Sequence, residues 1–525
     1  MPAPDVTVIT PVRDTCEFLP TWFSSLAGQT LPRDRLEVIA VDDGSTDGSG
    51  RELDRLARIH PGMLQVLHLP ASGGPALPRN RALDLARGRY VFFLDSDDHL
   101  GPEALERMTG YADRLHADVV LGRMAGVNGR RVPRDVFRHN LEAAEIHTSG
   151  VLYALTPAKL FRRELIDRHG IRFRDELRIG SDHPFVVEAY LRARKVSVLA
   201  DYTCYYLVAR EGGGNISLGD SVTSALRLPY MRASVETVRR LEGPGRTLDA
   251  LLRRVLRIEF TDLLGPAFAA LDPAGQRAEM AALRGYLDDW YRDGLTESLP
   301  SWVRWRIHCV REGKRSELCE LIATEKTDDL GFRSGDEGRG TVLVSDGHAY
   351  AKLPGFRDPV FGIPDSCYEV TRELAVRHRL ADVALDRDGL VVTGTAALPA
   401  LDREETAVRV FARRRGTRIT FPLHTVHTAE PAGTSEASDP PGPSGAGTPF
   451  RARWNAGADR WRPGIWDLFA VLCSEGVRRE VRLGSARDPG LSLPGPRSPE
   501  GGPAGELPVA CYWTEPHGNL SLRVG

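Results

Sequence analysis

Val91-Phe92-Phe93-Leu94-Asp95-Ser96-Asp97-Asp98 is an apolar run that stops abruptly in three carboxylates. A strand buried on both faces produces such a run. Its end would project Asp95, Asp97 and Asp98 from the rim of a sheet, where α/β folds place their ligands. Carboxylates crowded there repel one another unless a cation sits among them. A hard divalent ion that also binds phosphate oxygens suits such ligands, which points to Mg²⁺ or Mn²⁺. Taken alone, the run reads equally well as a strand followed by a solvated acidic turn. The rest of the N-terminal half decides between the two.

Working outward, Val6–Pro11 and Leu36–Val41 read as two further buried strands, Leu64–Leu69 as a third and Tyr90–Leu94 as the fourth. Helical patterns lie between them at Glu17–Gly28, Thr46–His60 (with Ser45 and Thr46 as expected caps) and Pro78–Arg87. A helix at Glu103–His116 and a strand at Asp118–Gly122 follow. Alternation at this spacing predicts a mostly parallel sheet with helices on both faces. From Ser221 to about Lys326 the chain reads as nearly all helix, for example over Leu248–Leu264. From about Gly331 short alternating runs take over, interrupted by Pro/Gly-rich stretches at 430–448 and 484–508, which predicts a β-sandwich. The expected domains are therefore 1–220, 221–330 and 331–525.

The 525 residues are too many for one ordinary core. With 69 basic and 71 acidic residues the net charge is -2, which gives no argument for nucleic-acid binding. The seven cysteines are scattered and form no Cys-x-x-Cys pair, so neither a disulfide framework nor a structural zinc site is indicated. The start, Met1-Pro-Ala-Pro-Asp5, lacks the pattern of a signal peptide, and no apolar stretch reaches the length of a membrane span. A cytoplasmic location is expected, with peripheral contact at the inner face of the plasma membrane left open.

Five segments could carry chemistry. Asp42-Asp43-Gly44-Ser45-Thr46-Asp47 follows a strand and opens a helix, so a carboxylate there could accept bonds from a ribose or a nucleobase, or merely cap the helix. Ser72-Gly73-Gly74-Pro75, with Arg79 and Asn80 beyond it, lets a backbone approach an anionic diphosphate, or is a solvated loop. The third is the Asp95–Asp98 cluster. Ile179-Gly180-Ser181-Asp182-His183 precedes an apolar helix, where an acid is usually a cap. Arg210-Glu211-Gly212-Gly213-Gly214 is a glycine-rich loop suited to closing over phosphates, or a mobile connector.

In this order and on this topology, residues 5–220 resemble the family-2 inverting glycosyltransferases of the GT-A fold. The carrying pieces are Val8-Ile9-Thr10-Pro11, Val41–Asp47, Gly73-Gly74-Pro75 with Arg79-Asn80, Phe93–Asp98, and Leu160-Phe161-Arg162-Arg163 ahead of Gly180-Ser181-Asp182. The resemblance implies that Pro11, Asp43 and Arg79 line a nucleotide pocket and that Asp95 contacts the ribose or the sugar. It implies that Asp97 holds the metal, Mn²⁺ or Mg²⁺, which bridges the diphosphate. Asp182 aligns with the general base, and Arg210 with its glycine loop closes over the diphosphate. Two departures stand out. Arg13-Asp14 replaces a common Tyr-Asn, which leaves uridine expected but the base stacking altered, and Ser181 replaces a common acid before the base.

A family-2 domain, a helical region and C-terminal β modules together resemble bacterial wall-teichoic-acid and related cell-wall glycopolymer glycosyltransferases. That resemblance implies transfer of a hexose or N-acetylhexosamine from a UDP-sugar to a hydroxyl of a cell-wall glycopolymer or its lipid-linked precursor. It also implies a C-terminal immunoglobulin-like region that supports a homo-oligomer or binds the polymer. Trp454, Trp461 and Trp466 are expected to fill a sandwich core, with stacking on sugars as the alternative. Two rival functions remain: an inactive carbohydrate-binding scaffold, and a transferase acting on a protein or small metabolite.

Overall fold

The central strands of the first sheet are apolar on both faces, which is the signature of a sheet covered by helices on either side. Every residue of Leu36–Asp43 (β2) and of Tyr90–Phe93 (β4) is buried. Fully burying a side chain such as Val91, Phe92 or Phe93 contributes roughly 1.5–3 kcal/mol. Val6–Val12 (β1) pairs parallel with both β2 and β4, and β2 pairs parallel with Leu64–Leu69 (β3). The computed structural model describes residues 3–210, 222–327, 341–386, 389–401, 406–427, 447–455, 463–495, 509–514 and 518–524. The described chain forms two compact units, Met1–Leu299 and Pro300–Gly525.

In the first unit the sheet has eight strands, in the order β3-β2-β1-β4-β7-β6-β8-β5. The added strands are His99–Leu100 (β5), Val119–Val127 (β6), Leu160–Arg162 (β7) and Val196–Val208 (β8). β7 runs antiparallel to β4 and β6, whereas β6 and β8 are parallel. The connecting helices are Leu19–Ala27 (α1), Ser49–Ile59 (α2), Ala76–Leu85 (α3), Ala104–Leu115 (α4), Arg163–His169 (α5) and Asp182–Arg192 (α6). Beyond β8 come Ser224–Leu241 (α7), Arg246–Val255 (α8), a π-helical turn at Leu256–Phe260, and Pro273–Trp290 (α9). The mostly parallel GT-A-type sheet followed by helices is therefore present.

Three local details differ from the sequence reading. α2 starts at Ser49, not at Thr46, because Ser45 and Thr46 are committed elsewhere: Ser45 Oγ accepts from Asp14 N (3.1 Å) and Thr46 N donates to Asp14 (2.7 Å). Asp47 does the capping instead, accepting from Ser49 N (2.9 Å) and Ser49 Oγ (2.6 Å). β6 runs on to Val127 because β8 continues alongside it. The helix read over Leu248–Leu264 is broken by the π-turn.

Four phenylalanines bind the elements under the sheet's end. The rings of Phe173 and Phe185 stack at 4.0 Å, and Phe93 meets Phe161, Phe173 and Phe185 edge-on at 5.8, 5.1 and 5.5 Å. Each such pair adds about 0.5–1.5 kcal/mol beyond burial. The cluster ties β4, β7 and α6 to one another.

In the second unit, helices Ser301–Glu312 (α10) and Arg315–Thr327 (α11) precede a hairpin of Val342–Ser345 (β9) and His348–Ala351 (β10). Two antiparallel sheets follow. One is ordered Arg377–Asp386 (β11), Gly389–Ala397 (β12), Thr448–Asn455 (β16), His424–His427 (β15). The other is ordered Thr420–Pro422 (β14), Ala407–Arg414 (β13), Gly464–Ser474 (β17), Leu520–Val524 (β20), Val509–Trp513 (β19), with Val477–Arg482 (β18) also on β17. Val410 of β13 bonds Thr425 Oγ1 and the Leu423 N–H of the other sheet's edge. Trp454 and Trp466 are 3% and 1% exposed, so both are core residues and neither is a sugar platform. Trp461 lies outside the described residues, as does nearly all of the 430–448 stretch.

Candidate active site

β1, β2 and β4 end at one edge of the sheet. The register puts Pro11 beside Val41 and Val12 beside Asp42. A cavity of about 510 Å³ opens there, and Pro11, Asp43, Arg79, Asp95, Asp97, Asp182 and Arg210 all line it. These seven come from six separate stretches of chain, and the sheet topology alone brings them together. The Gly212–Gly214 loop expected beside Arg210 lies outside the described residues.

Asp43, at the end of β2, accepts from Ser72 N at 2.8 Å, while Arg13 donates to the Asp43 carbonyl. The loop after β1 is thus locked to the turn after β2. Asp14 sits there at φ +47 with its carboxyl held below the usual range, chiefly by the bond from Thr46 N. Gly73 and Gly74 both line the cavity, as the sequence suggested. A Cβ on Gly74 would lie 3.0 Å from the Arg178 carbonyl, so the glycine also lets the loop before Asp182 pack close.

Arg79 projects from α3, donates to Asp95 Oδ1 at 2.7 Å and lies 5.2 Å from the centre of the Phe173 ring. Its side chain is 5% exposed, whereas Asp95 keeps 40%. Asp97 accepts from Arg210 Nε at 2.6 Å. Burial pushes its carboxyl up, and the neighbouring Asp95 charge adds to the rise. Asp98 does not project from the rim with the other two. It accepts from Tyr205 Oη (2.6 Å) and from Val208 N (2.8 Å), which pins the end of β8. Burial and the charges of Asp95 and Asp97 push it to about 8.

The donor set fits a hard divalent cation. Two oxygen-bearing side chains whose charges repel, Asp95 and Asp97, stand together on the cavity wall. Mg²⁺ or Mn²⁺ takes one or two carboxylates and completes its shell with water and phosphate oxygens. Among the described residues no set of three or more His, Cys, Asp or Glu forms an all-protein cage, so phosphate oxygens would have to complete the shell.

Asp182 is the first residue of α6, and Ser181 before it makes no side-chain capping bond. The helix is therefore not capped in the way an acid at this spacing suggests. The Asp182 carboxylate borders the cavity. Burial raises its pKa and Asp95 raises it further, while Arg79 and Lys159 pull it back. Lys159 was not singled out in the sequence. It is 1% exposed, donates to the Thr156 carbonyl, and is pushed down to about 7 by burial, against the pull of Asp182. Arg227 and Tyr230, on α7, also line the cavity, and no motif marked them.

Residues 7–170 match the model of Glycosyl transferase family 2, residues 228–322 that of the Glycosyl transferase TarS linker domain, and residues 369–524 that of TarS beta-glycosyltransferase C-terminal domain 1. The poly(ribitol-phosphate) beta-glucosyltransferase of Bacillus spizizenii is 36% identical over 39% of this chain and 33% of its own length. The poly(ribitol-phosphate) beta-N-acetylglucosaminyltransferase TarP of Staphylococcus aureus is 33% identical over 41% of this chain and 67% of its own. The chain thus spans about a third of the length of the first curated relatives it matches. The S. aureus TarS crystal structure superposes with a TM-score of 0.59 at 22% identity, covering 99% of this chain and 85% of that one, a likeness of fold. TarS 1–349 in complex with UDP-GlcNAc superposes with a TM-score of 0.57 at 28% identity, covering 66% of this chain and 97% of that one.

Proposed function

This chain belongs to glycosyltransferase family 2, and on that premise we propose that it moves a hexose or N-acetylhexosamine, with inversion, from a UDP-sugar to a hydroxyl of a cell-wall polymer of poly(ribitol phosphate) type. The observation that carries the reading is the convergence of Pro11, Asp43, Arg79, Asp95, Asp97, Asp182 and Arg210 on one cavity. The relatives' names support the polymer acceptor and the UDP-sugar donor.

In this reading Asp43 and the Arg13 loop hold the nucleoside. Arg79 and Arg210 face the diphosphate, where a planar guanidinium suits paired phosphate oxygens. Asp95 orients the ribose or the sugar. Asp97 would hold Mn²⁺ or Mg²⁺, which supplies Lewis-acid stabilisation of charge on the departing diphosphate. Asp182 takes the proton from the acceptor hydroxyl. That oxygen bonds to the anomeric carbon from the face opposite the diphosphate. The anomeric carbon–phosphate oxygen bond breaks, and its electron pair leaves with the nucleoside diphosphate. A base so placed contributes roughly 10²–10⁴-fold. Arg13-Asp14 makes the grip on uracil differ from simple aromatic stacking.

The functional division follows 1–220, 221–330 and 331–525, a reading supported by the three separate family matches. The C-terminal region serves polymer binding or assembly of a homo-oligomer. No helix among the described residues is long and apolar enough to cross a membrane.

The test is release of nucleoside diphosphate from UDP-, GDP- and dTDP-sugars, with Mn²⁺ or Mg²⁺ and with EDTA, for the wild type and Asp182→Asn. Metal-dependent release from a UDP-sugar that needs the polymer and is lost in the variant is expected. No turnover together with no UDP binding by calorimetry would overturn the reading in favour of a scaffold.

A further inference from the structure

The helices that follow the catalytic sheet do more than line the cavity. Behind Arg227 and Tyr230 lies a charged cluster taken out of water. Arg254, near the end of α8, and Glu259, in the π-turn, are 5% and 2% exposed and ion-paired. The same Glu259 oxygen, Oε1, lies 3.8 Å from His183 Nδ1, and His183 directly follows Asp182. The Tyr230 ring meets the His183 ring edge-on at 4.9 Å. Burial, with Arg254, Arg227 and Lys159 nearby, holds His183 well below its usual pKa.

The π-turn accounts for the pairing of Arg254 with Glu259. In an α-helix, residues five apart point about 140° away from each other. A π-turn carries more residues per turn and brings such residues onto one side. This local departure from the α-helix therefore builds the pair that backs the base.

The cluster is a poor way to hold helices together. Glu259 Oε2, Arg254 Nε, Arg227 Nε and Tyr286 Oη are buried without a hydrogen-bond partner among the described residues. Partly satisfied buried charge is worse for stability than an apolar contact of the same volume. What the arrangement does supply is a fixed backing for the turn that carries the base.

Resting on the assignment of Asp182 as base, we infer that Glu259, held by Arg254 on the π-turn, is a positioning residue for the general base: it packs against the His183 ring, which Tyr230 flanks edge-on, and this backing aims the Asp182 carboxylate into the cavity. The helical segment would then be part of the catalytic machinery, not only a link to the region beyond it. A base displaced by about 1 Å can cost on the order of 100-fold in rate.

The experiment uses the full chain, with UDP-glucose or UDP-N-acetylglucosamine as donor, whichever turns over, and calorimetry with UDP alone. Glu259→Gln should lower kcat by about 10- to 100-fold while donor KM and UDP affinity stay within about twofold. Glu259→Asp should recover part of the loss. Should Glu259→Gln fail to fold, the paired Arg254→Met/Glu259→Leu variant removes both charges at similar volume, and it should bind UDP normally with the same loss of kcat. Unchanged kcat, or kcat and UDP affinity falling in parallel, would overturn the positioning role. Asp182→Asn measured alongside separates the two readings: normal turnover there removes the base assignment itself. An inactive Asp182→Asn beside a fully active Glu259→Gln removes only the positioning role.

Discussion

Arg79 and Asp95 are joined by a 2.7 Å hydrogen bond between α3 and the turn after β4, with Phe173 beneath the guanidinium. The pair couples two walls of the cavity, and the aromatic face holds the guanidinium flat. Lysine cannot reproduce either the fork or the stacking. Arg79→Lys should therefore weaken UDP binding by roughly 10- to 100-fold, the range of one hydrogen bond to a charged group at about 1.5–3 kcal/mol. Calorimetry with UDP checks this, and an unchanged Kd would remove Arg79 from the donor site.

Asp97 gives the second prediction. Its carboxylate already draws Arg210 to it at 2.6 Å, so in the proposed function a cation and a guanidinium would act on one acid. EDTA should abolish UDP release, and Mn²⁺ or Mg²⁺ should restore it. Asp97→Asn should need a much higher metal concentration for the same rate, read from a metal titration of turnover. Full activity in EDTA would sink the metal assignment.

A third prediction concerns pH. A general base works ionised, and Asp182, the base in the proposed function, has a folded-state pKa above the ordinary carboxylate value, through burial first and Asp95 among the other raising causes. Proton binding to it in the acid range switches the base off. kcat/KM should therefore rise with pH through that raised value and then level off. Lys159 opposes the rise, so Lys159→Met should move the acid limb to higher pH without changing its shape. A limb that stays put, or moves down, would show that Lys159 does not act on the base.

How far the sequence carried the reading follows from which signals are local. The run Val91–Asp98 reports its own strand, because burial on both faces needs only apolar residues in a row. That these seven residues would meet on one cavity was legible because each sits in a short motif at the end of a strand or the start of a helix. Asp98 was not separable from Asp95 and Asp97, since its inward turn depends on Tyr205, more than a hundred residues away. Lys159 stands one position before β7 and reads as a surface cation until β7 is packed on both faces. The π-turn at Leu256–Phe260 was invisible because five residues cannot distinguish its period from that of an α-helix. Phe173 and Phe185, which stack under the site, carry no pattern that foretells it.

Stability should depend on Asp118. This acid lies at the start of β6 and accepts from Arg194 N (2.9 Å), from Arg194 Nη2 (2.9 Å) and from Arg162 Nε (3.1 Å). Burial pushes its carboxyl up, but these bonds outweigh it and leave the folded-state pKa below the usual value. The unfolded chain thus binds the proton more readily. The contribution is present above pH ~4 and is lost as pH falls through the lower folded value. Asp118→Asn should cost roughly 2–3 kcal/mol at neutral pH, less than a fully buried pair because Arg194 is 68% exposed. Its unfolding free energy should fall less steeply on acidification than that of the wild type, and equal slopes in denaturant titrations would contradict this.

Gly180 offers the last test, because it ties the turn bearing Asp182 to the helices behind it. Its φ is +67, and a Cβ there would come within 2.4 Å of the Tyr230 ring. Gly180→Ala therefore meets two penalties: a left-handed backbone, about 1–2 kcal/mol, and a collision with an aromatic ring. The ring cannot retreat freely, since it also packs edge-on against His183. The variant should lose both stability and kcat. Adding Tyr230→Leu should relieve the collision but not the backbone strain, so part of the stability returns while about 1 kcal/mol stays lost. Full recovery would mean the backbone tolerates alanine at this φ. No recovery would mean that the ring is not the obstacle, and that the turn bearing Asp182 is held by contacts other than Tyr230.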